Sequence, residues 1–274
     1  MKIINLLNMK GGVAKTFTVV NMAYELWRRG YKVLLLDNDK QGNTSRAYWR
    51  YDAESISPTA RILSGEWECL DEPSGELIQS TDYDGIDIIT TNMSLFGATC
   101  TLMGENSGDI TGRYKKFLLE GTMKDGSLIC DKYDYCIIDS PPDIGINVIN
   151  ALAASDEVIV PVKIDKDALE GLDIVAEQIE DAKAINPSLT LKGVLVTSYQ
   201  NTDGEYAGLE WLKKQWEDES SERYRKYPIL GIIRYSKKVA ENSFLRKPIY
   251  EYSPCCGVAQ DYKKFVTAYT GKGR

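Results

Sequence analysis

Three short stretches hold the residues able to do chemistry, and in each it is the chemistry of phosphate and a hard cation. The first is Asn8-Met9-Lys10-Gly11-Gly12-Val13-Ala14-Lys15-Thr16. Glycines beside a lysine and a threonine suit a loop whose backbone N–H groups cradle an anion. Lys15 would reach the β/γ-phosphates of a nucleotide, and the Thr16 hydroxyl would ligate Mg²⁺. The second stretch is Asp37-Asn38-Asp39-Lys40-Gln41-Gly42-Asn43, and the third is Asp139-Ser140-Pro141-Pro142. Their carboxylates are the hard oxygen donors that Mg²⁺ takes. The 274 residues include no histidine, which excludes imidazole general bases and imidazole metal ligands.

Each stretch is delivered by an apolar run. Lys2 to Leu7 reads as a buried strand, and after Thr16 the residues Val19, Val20, Ala23, Leu26 and Trp27 recur at helical spacing. The glycines therefore sit on a strand-to-helix turn, where the helix dipole favours an anion. Lys32 to Leu36 reads as a second strand feeding Asp37. Tyr133 to Ile138 reads as another, ending in Asp139, where a strand-tip carboxylate holds Mg²⁺, usually through water. Further strands are expected at 86–90, 157–162, 191–196 and 228–234, and helices at 114–119, 172–182 and 204–218. Residues 52–84 read as short helices and loops, broken at Ser-Pro and Ser-Gly, and residues 92–112, rich in Gly, Ser, Thr and Asn, read as irregular. The alternation predicts a single α/β domain over 1–274, a mostly parallel twisted sheet with helices on both faces. All three stretches then share one sheet edge.

Composition narrows the class. No run approaches the 18 apolar residues that a membrane span needs. The chain enters its first strand at once, so no signal peptide is expected. The six cysteines are scattered without a C-x-x-C pair, which reads as reduced cytoplasmic thiols and no metal site. The net charge of −7 is uneven: residues 220–274 carry 12 Lys/Arg against 4 Asp/Glu, a net of +8, and the preceding chain carries −15. A polyanion, if bound, meets the C-terminal quarter.

In their residues the three stretches resemble the deviant Walker A, switch I and switch II motifs of the ParA/MinD family of P-loop ATPases. Met9 and Ala14 stand where an ordinary phosphate loop has glycine, and Lys10 is an extra lysine at its head. Lys40 replaces the proline of the usual D-x-D-P-Q-G-N. The resemblance implies ATP and Mg²⁺ as cofactors, with nucleotide held by Lys10, Gly11, Gly12, Val13, Ala14, Lys15, Thr16 and Phe17. It gives Thr16 and, through water, Asp139 to the metal, with Asp37 near the metal or the loop backbone. It makes Asp39 the residue that positions the attacking water, and Lys10 a cation that crosses a dimer interface to the partner's nucleotide. Near the base it points to Thr197, Ile233 and Tyr235, although Ile233 stands where proline is usual.

A ParA-type member would form a homodimer on ATP, bind DNA without sequence preference and work with a ParB-like centromere- or adaptor-binding protein. It would be cytoplasmic, on the nucleoid when ATP-bound, with no membrane partner. Candidate DNA contacts are Arg223, Arg225, Lys226, Arg234, Lys237, Lys238, Arg246 and Lys247. The alternatives are a MinD-like spatial regulator and a P-loop amide-ligase or synthetase relative. The tail bears on the first: Val258, Tyr262, Phe265, Val266 and Tyr269 form a modest apolar stripe, read as packing back onto the domain. A nitrogenase-iron-protein role lacks its cysteine after switch II, since 143–147 contain none.

Overall fold

Eight strands form one sheet in the order β3-β4-β2-β5-β1-β6-β7-β8. They are β1 (Lys2–Leu6), β2 (Val33–Asp37), β3 (Gln79–Ser80), β4 (Ile86–Ile89), β5 (Tyr135–Asp139), β6 (Glu157–Lys163), β7 (Thr190–Tyr199) and β8 (Ile229–Arg234). Every neighbouring pair is parallel except β3 with β4. The helices are α1 (Lys15–Arg28), α2 (Asn43–Ala47), α3 (Pro58–Leu63), α4 (Ser94–Met103), α5 (Arg113–Glu120), α6 (Ile129–Lys132), α7 (Ile146–Ala154), α8 (Lys166–Ala182), α9 (Asp203–Glu217), α10 (Lys237–Leu245), α11 (Ile249–Tyr252) and α12 (Gly257–Thr270). The computed structural model describes residues 1–104, 110–217 and 228–271, leaving out the side chains at 166–170, 215–217 and 243.

The strands are apolar on both faces because both faces are covered. In β2, Val33 and Leu35 join Ile4 and Leu6 in a core with α1, α11 and α12. Leu34 and Leu36 point the other way, into a core with α3, α5 and α7. A third cluster fills the space between β6, β7, α8 and α9. The C-terminal stripe is spent on the first of these cores. Val258, Tyr262, Phe265 and Val266 are buried, and the Tyr262 hydroxyl lies 2.9 Å from Thr18 Oγ1.

Strand order reverses around β1, with β5 on one side and β6 on the other. Such a switch point leaves a crevice beyond the strand tips. Register brings the three stretches to it: Leu6 pairs with Asp139, and Asp37 pairs with Asp139. One expectation needs correction. Residues 94–103, expected irregular, form α4, which buries Leu95 and Leu102; Leu95, Ala98, Leu102 and Met103 are strong helix formers among the Gly, Ser and Thr. Residues 52–84 hold the short helices expected there, α3, capped by Ser57 with Pro58 at its first position, and two 3₁₀ turns, and add the short strand β3.

Candidate active site

The turn after β1 reaches α1 through two left-handed residues. Gly12 has φ 75°, and Ala14 has φ 61° and ψ 33°. Asn8 anchors the turn: its Nδ2 donates to the Pro161 carbonyl at 2.7 Å, and its Oδ1 accepts from the Lys10 N–H at 2.9 Å. Lys15 begins α1 and is buried. Its Nζ donates to the carbonyls of Asn8 (2.9 Å) and Lys10 (3.1 Å), so the ammonium lies inside the turn it serves. Burial holds its pKa below the ordinary lysine value, opposed by the charges of Asp139, Asp39 and Asp143.

Asp139 gathers the rest. Its Oδ2 accepts from Thr16 Oγ1 at 2.7 Å and from Thr44 Oγ1 at 2.6 Å. Burial pushes its carboxyl up to about 6, with the Thr44 and Thr16 hydroxyls pulling the other way. Thr44, at the start of α2, lies one residue beyond the second stretch, and nothing in its type sets it apart in the sequence. Asp37 is fully buried and turned toward backbone, accepting from Ser45 N–H and Oγ at 2.7 Å each. Burial, then the neighbouring Asp139, hold its carboxyl well above the ordinary value. Asp39 is half-buried and accepts from the Gln41 N–H at 3.0 Å. Lys40 Nζ stands 3.6 Å from Asp143 and ties the second stretch to the loop after β5.

Lys10 does not fold onto its own loop. Its Nζ donates to Asp165 Oδ1 at 2.5 Å, beyond the tip of β6. Of the residues expected near a base, Thr197 is buried, with its hydroxyl 3.1 Å from the Val13 and Val162 carbonyls, so it braces the phosphate loop. Ile233 is a core residue, 3% exposed, and offers no surface to a base; this corrects the sequence reading. Tyr235 is open at the tip of β8, beside a surface recess shared with Tyr199 and Asn201.

The basic candidates separate in the same way. Arg223, Arg225 and Lys226 lie outside the described residues. Arg234 is claimed by Asp261, with Nε and Nη2 each donating at 2.7 Å. Lys237, Lys238 and Lys247 are exposed, and Arg246 lies over the Trp49 ring. Lys237 and Lys238 occupy the first turn of α10, the dipole end that disfavours cations unless an anion meets them.

The donor set suits Mg²⁺ bound with a nucleotide. Among the described residues no three Asp, Glu, His or Cys cluster to cage a metal. One carboxylate and two hydroxyls leave the remaining positions to phosphate oxygens and water, the usual state of Mg²⁺ in phosphoryl-transfer sites. A strand, a glycine turn, a helix-start lysine and threonine, and a strand-tip aspartate define a P-loop nucleotide hydrolase.

An AAA-domain family model (AAA_31) matches residues 1–191. The chain is 32% identical over 274 residues to the sporulation initiation inhibitor protein Soj of Bacillus subtilis, covering 99% of each. It is 31% identical to the chromosome-partitioning ATPase Soj of Thermus thermophilus, covering 96% of this chain and 93% of that one. Its structure matches cobyrinic acid a,c-diamide synthase of Mycobacterium smegmatis, crystallised with ADP and magnesium. That match has a TM-score of 0.75 at 25% identity, over 98% of this chain and 94% of that one. The chain belongs to the ParA/Soj branch of the ParA/MinD P-loop ATPases. No helix among the described residues is long and apolar enough to cross a membrane.

Proposed function

We propose that the protein is an Mg²⁺-dependent ATPase that dimerises on ATP, binds DNA without sequence preference and drives segregation of a plasmid, chromosome or mobile element. A ParB-like protein bound at a centromere or adaptor would stimulate release. The observation that carries this reading is Lys10. A cation at the head of the loop, paired with Asp165 and not folded onto its own turn, could exchange that partner for a second subunit's nucleotide. Charge brought in this way acts on the β/γ-phosphates as an arginine finger does. The Soj relatives support the same assignment through their chromosome-partitioning name.

In this reading Lys15 and the loop N–H groups hold the phosphates, and Thr16, Thr44 and Asp139 hold Mg²⁺. A bound Mg²⁺ would neutralise negative charge on the β- and γ-phosphates. Asp37 fixes α2 through Ser45, and Asp39 orients the attacking water. The test is a filter-binding assay on unrelated duplexes with ATP, ADP or no nucleotide. Retention is expected with ATP alone, and Lys10→Ala should bind ATP yet neither dimerise nor retain DNA. An ATP-dependent dimer in Lys10→Ala would remove the argument. A wild-type dimer that ignores DNA at low salt would move the diamide-synthase-like amide-ligase reading forward, which the structural match also favours.

A further inference from the structure

Asn38 lies between the two aspartates of the second stretch, one residue past the end of β2, and is fully buried. Each of its four polar groups has a partner, and every partner comes from another part of the chain. Its N–H donates to the Asp139 carbonyl at 3.0 Å. Its Nδ2 donates to the Asn147 carbonyl at 3.2 Å, and its own carbonyl accepts from Asn147 Nδ2 at 3.1 Å. Its Oδ1 accepts from the Tyr114 hydroxyl at 2.8 Å.

Asn147 is the second residue of α7 and Tyr114 the second of α5, and both are buried. Burial holds the Tyr114 hydroxyl well above the ordinary tyrosine pKa, so it stays protonated and donates. Gly145 leaves room for the Asn147 amide. Its φ of −111° suits any residue, yet a Cβ there would stand 2.8 Å from Asn147 Oδ1. A buried polar network with its members satisfied specifies one arrangement.

The bond that reaches Asp39 is the one to the Asn38 carbonyl. That carbonyl and the Asp39 N–H belong to one planar peptide unit, so a partner for one sets the direction of the other. On the Asp39 side the contact is long, N–H to Asp37 Oδ1 at 3.4 Å. The shorter bond from Asn147 therefore governs the plane from which Asp39 departs. An otherwise unused asparagine thus ties Asp39 to the start of α7 and, through Tyr114, to α5.

We propose that Asn147 and Tyr114 are positioning residues for ATP hydrolysis. Through Asn38 they hold the peptide that carries Asp39, so its carboxylate keeps its place beside the phosphate loop. The proposal rests on the reading of Asp39 as the residue that orients the attacking water. In that reading other groups, Lys15, Thr16, Thr44 and Asp139, hold the nucleotide and the metal. Loss of the brace should then slow turnover and spare affinity.

The test compares full-length Asn147→Leu and Tyr114→Phe with wild type in Mg·ATP turnover and in calorimetric titration with Mg·ADP. Leucine keeps the volume and the backbone carbonyl but removes Nδ2, and phenylalanine removes one hydroxyl. kcat is expected to fall by about tenfold or more in Asn147→Leu and by about fivefold in Tyr114→Phe. KM and the Mg·ADP affinity should stay within about twofold. In an Asp39→Ala background neither substitution should slow turnover further. Unchanged kcat, an affinity loss that matches the rate loss, or slowing that persists in full beside Asp39→Ala overturns the proposal. A lower urea midpoint with unchanged kcat makes the network structural and overturns it too. If Asn147→Leu does not fold, Tyr114→Phe decides by the same criteria. Asp39→Ala turning over at the wild-type rate would instead remove the reading of Asp39 beneath the proposal.

Discussion

At Asp139 a proton and a metal compete for one carboxyl. The folded, metal-free protein keeps the proton up to about pH 6, whereas an unfolded aspartate releases it near 3.8. Because the folded state binds the proton more tightly, acid favours folding across that window and the preference is lost as pH rises through about 6. The same proton opposes Mg²⁺. Calorimetric titration with Mg·ATP should give an affinity that is flat above pH 6 and falls by about tenfold per unit below it. Asp139→Asn should bind weakly throughout and keep only the slope from the nucleotide's own protonation. Asp39 is proposed to act on another step. It is anchored by the Gln41 N–H, and the role proposed for it is to orient the attacking water. Asp39→Ala should retain ATP, slow hydrolysis by about a hundredfold or more, and accumulate the ATP-bound dimer in light scattering.

At the scale of elements, the loop between β1 and α1 carries a cost that the usual sequence avoids. Ala14 is left-handed where an ordinary phosphate loop has glycine. That conformation costs a residue with a Cβ roughly 1–2 kcal/mol, and the looser unfolded chain of glycine offsets roughly 0.4–1 of it. Ala14→Gly should therefore stabilise the protein by about 0.5–1 kcal/mol in urea unfolding. The link from that loop to β6 is a different kind of contact. Lys10 and Asp165 are both more than a third exposed, so their pair adds little to stability. It does restrain the lysine. Asp165→Asn should leave the urea midpoint nearly unchanged while the dimer forms at lower ATP concentration. Coupled loss of stability and dimer would instead make the pair structural.

At the scale of the molecule, charge sets the terms for DNA. A net of −15 before residue 220 opposes any duplex, and the +8 of the remainder attracts it. In the proposed function one subunit would balance these poorly, whereas two subunits joined across ATP would present two basic patches to one duplex and make the second contact intramolecular. Binding should weaken steeply with salt and show no sequence preference. Lys237→Glu with Lys238→Glu should weaken it on every duplex alike and flatten the salt slope. A loss confined to one sequence would point to base contacts instead.

The sequence by itself determined the chemistry. Strand, glycine turn, lysine and threonine are contiguous, so Lys15 and Thr16 had to meet at a helix start whatever else the chain did. An apolar run that ends in Asp139 likewise marked a strand tip, and the parallel, doubly covered sheet followed from the alternation of strand and helix. The tertiary structure decided what came from far along the chain. Thr44 reaches Asp139 across 95 positions, and Asp165 reaches Lys10 across 155, because strand order and not sequence brings those tips together. It also sorted residues that look alike on paper: Arg234 is neutralised by Asp261, while Lys237 and Lys247 stand open. Ile233 and Thr197 turned out to be core and brace, since burial depends on which elements pack above a strand end, and no local pattern records that.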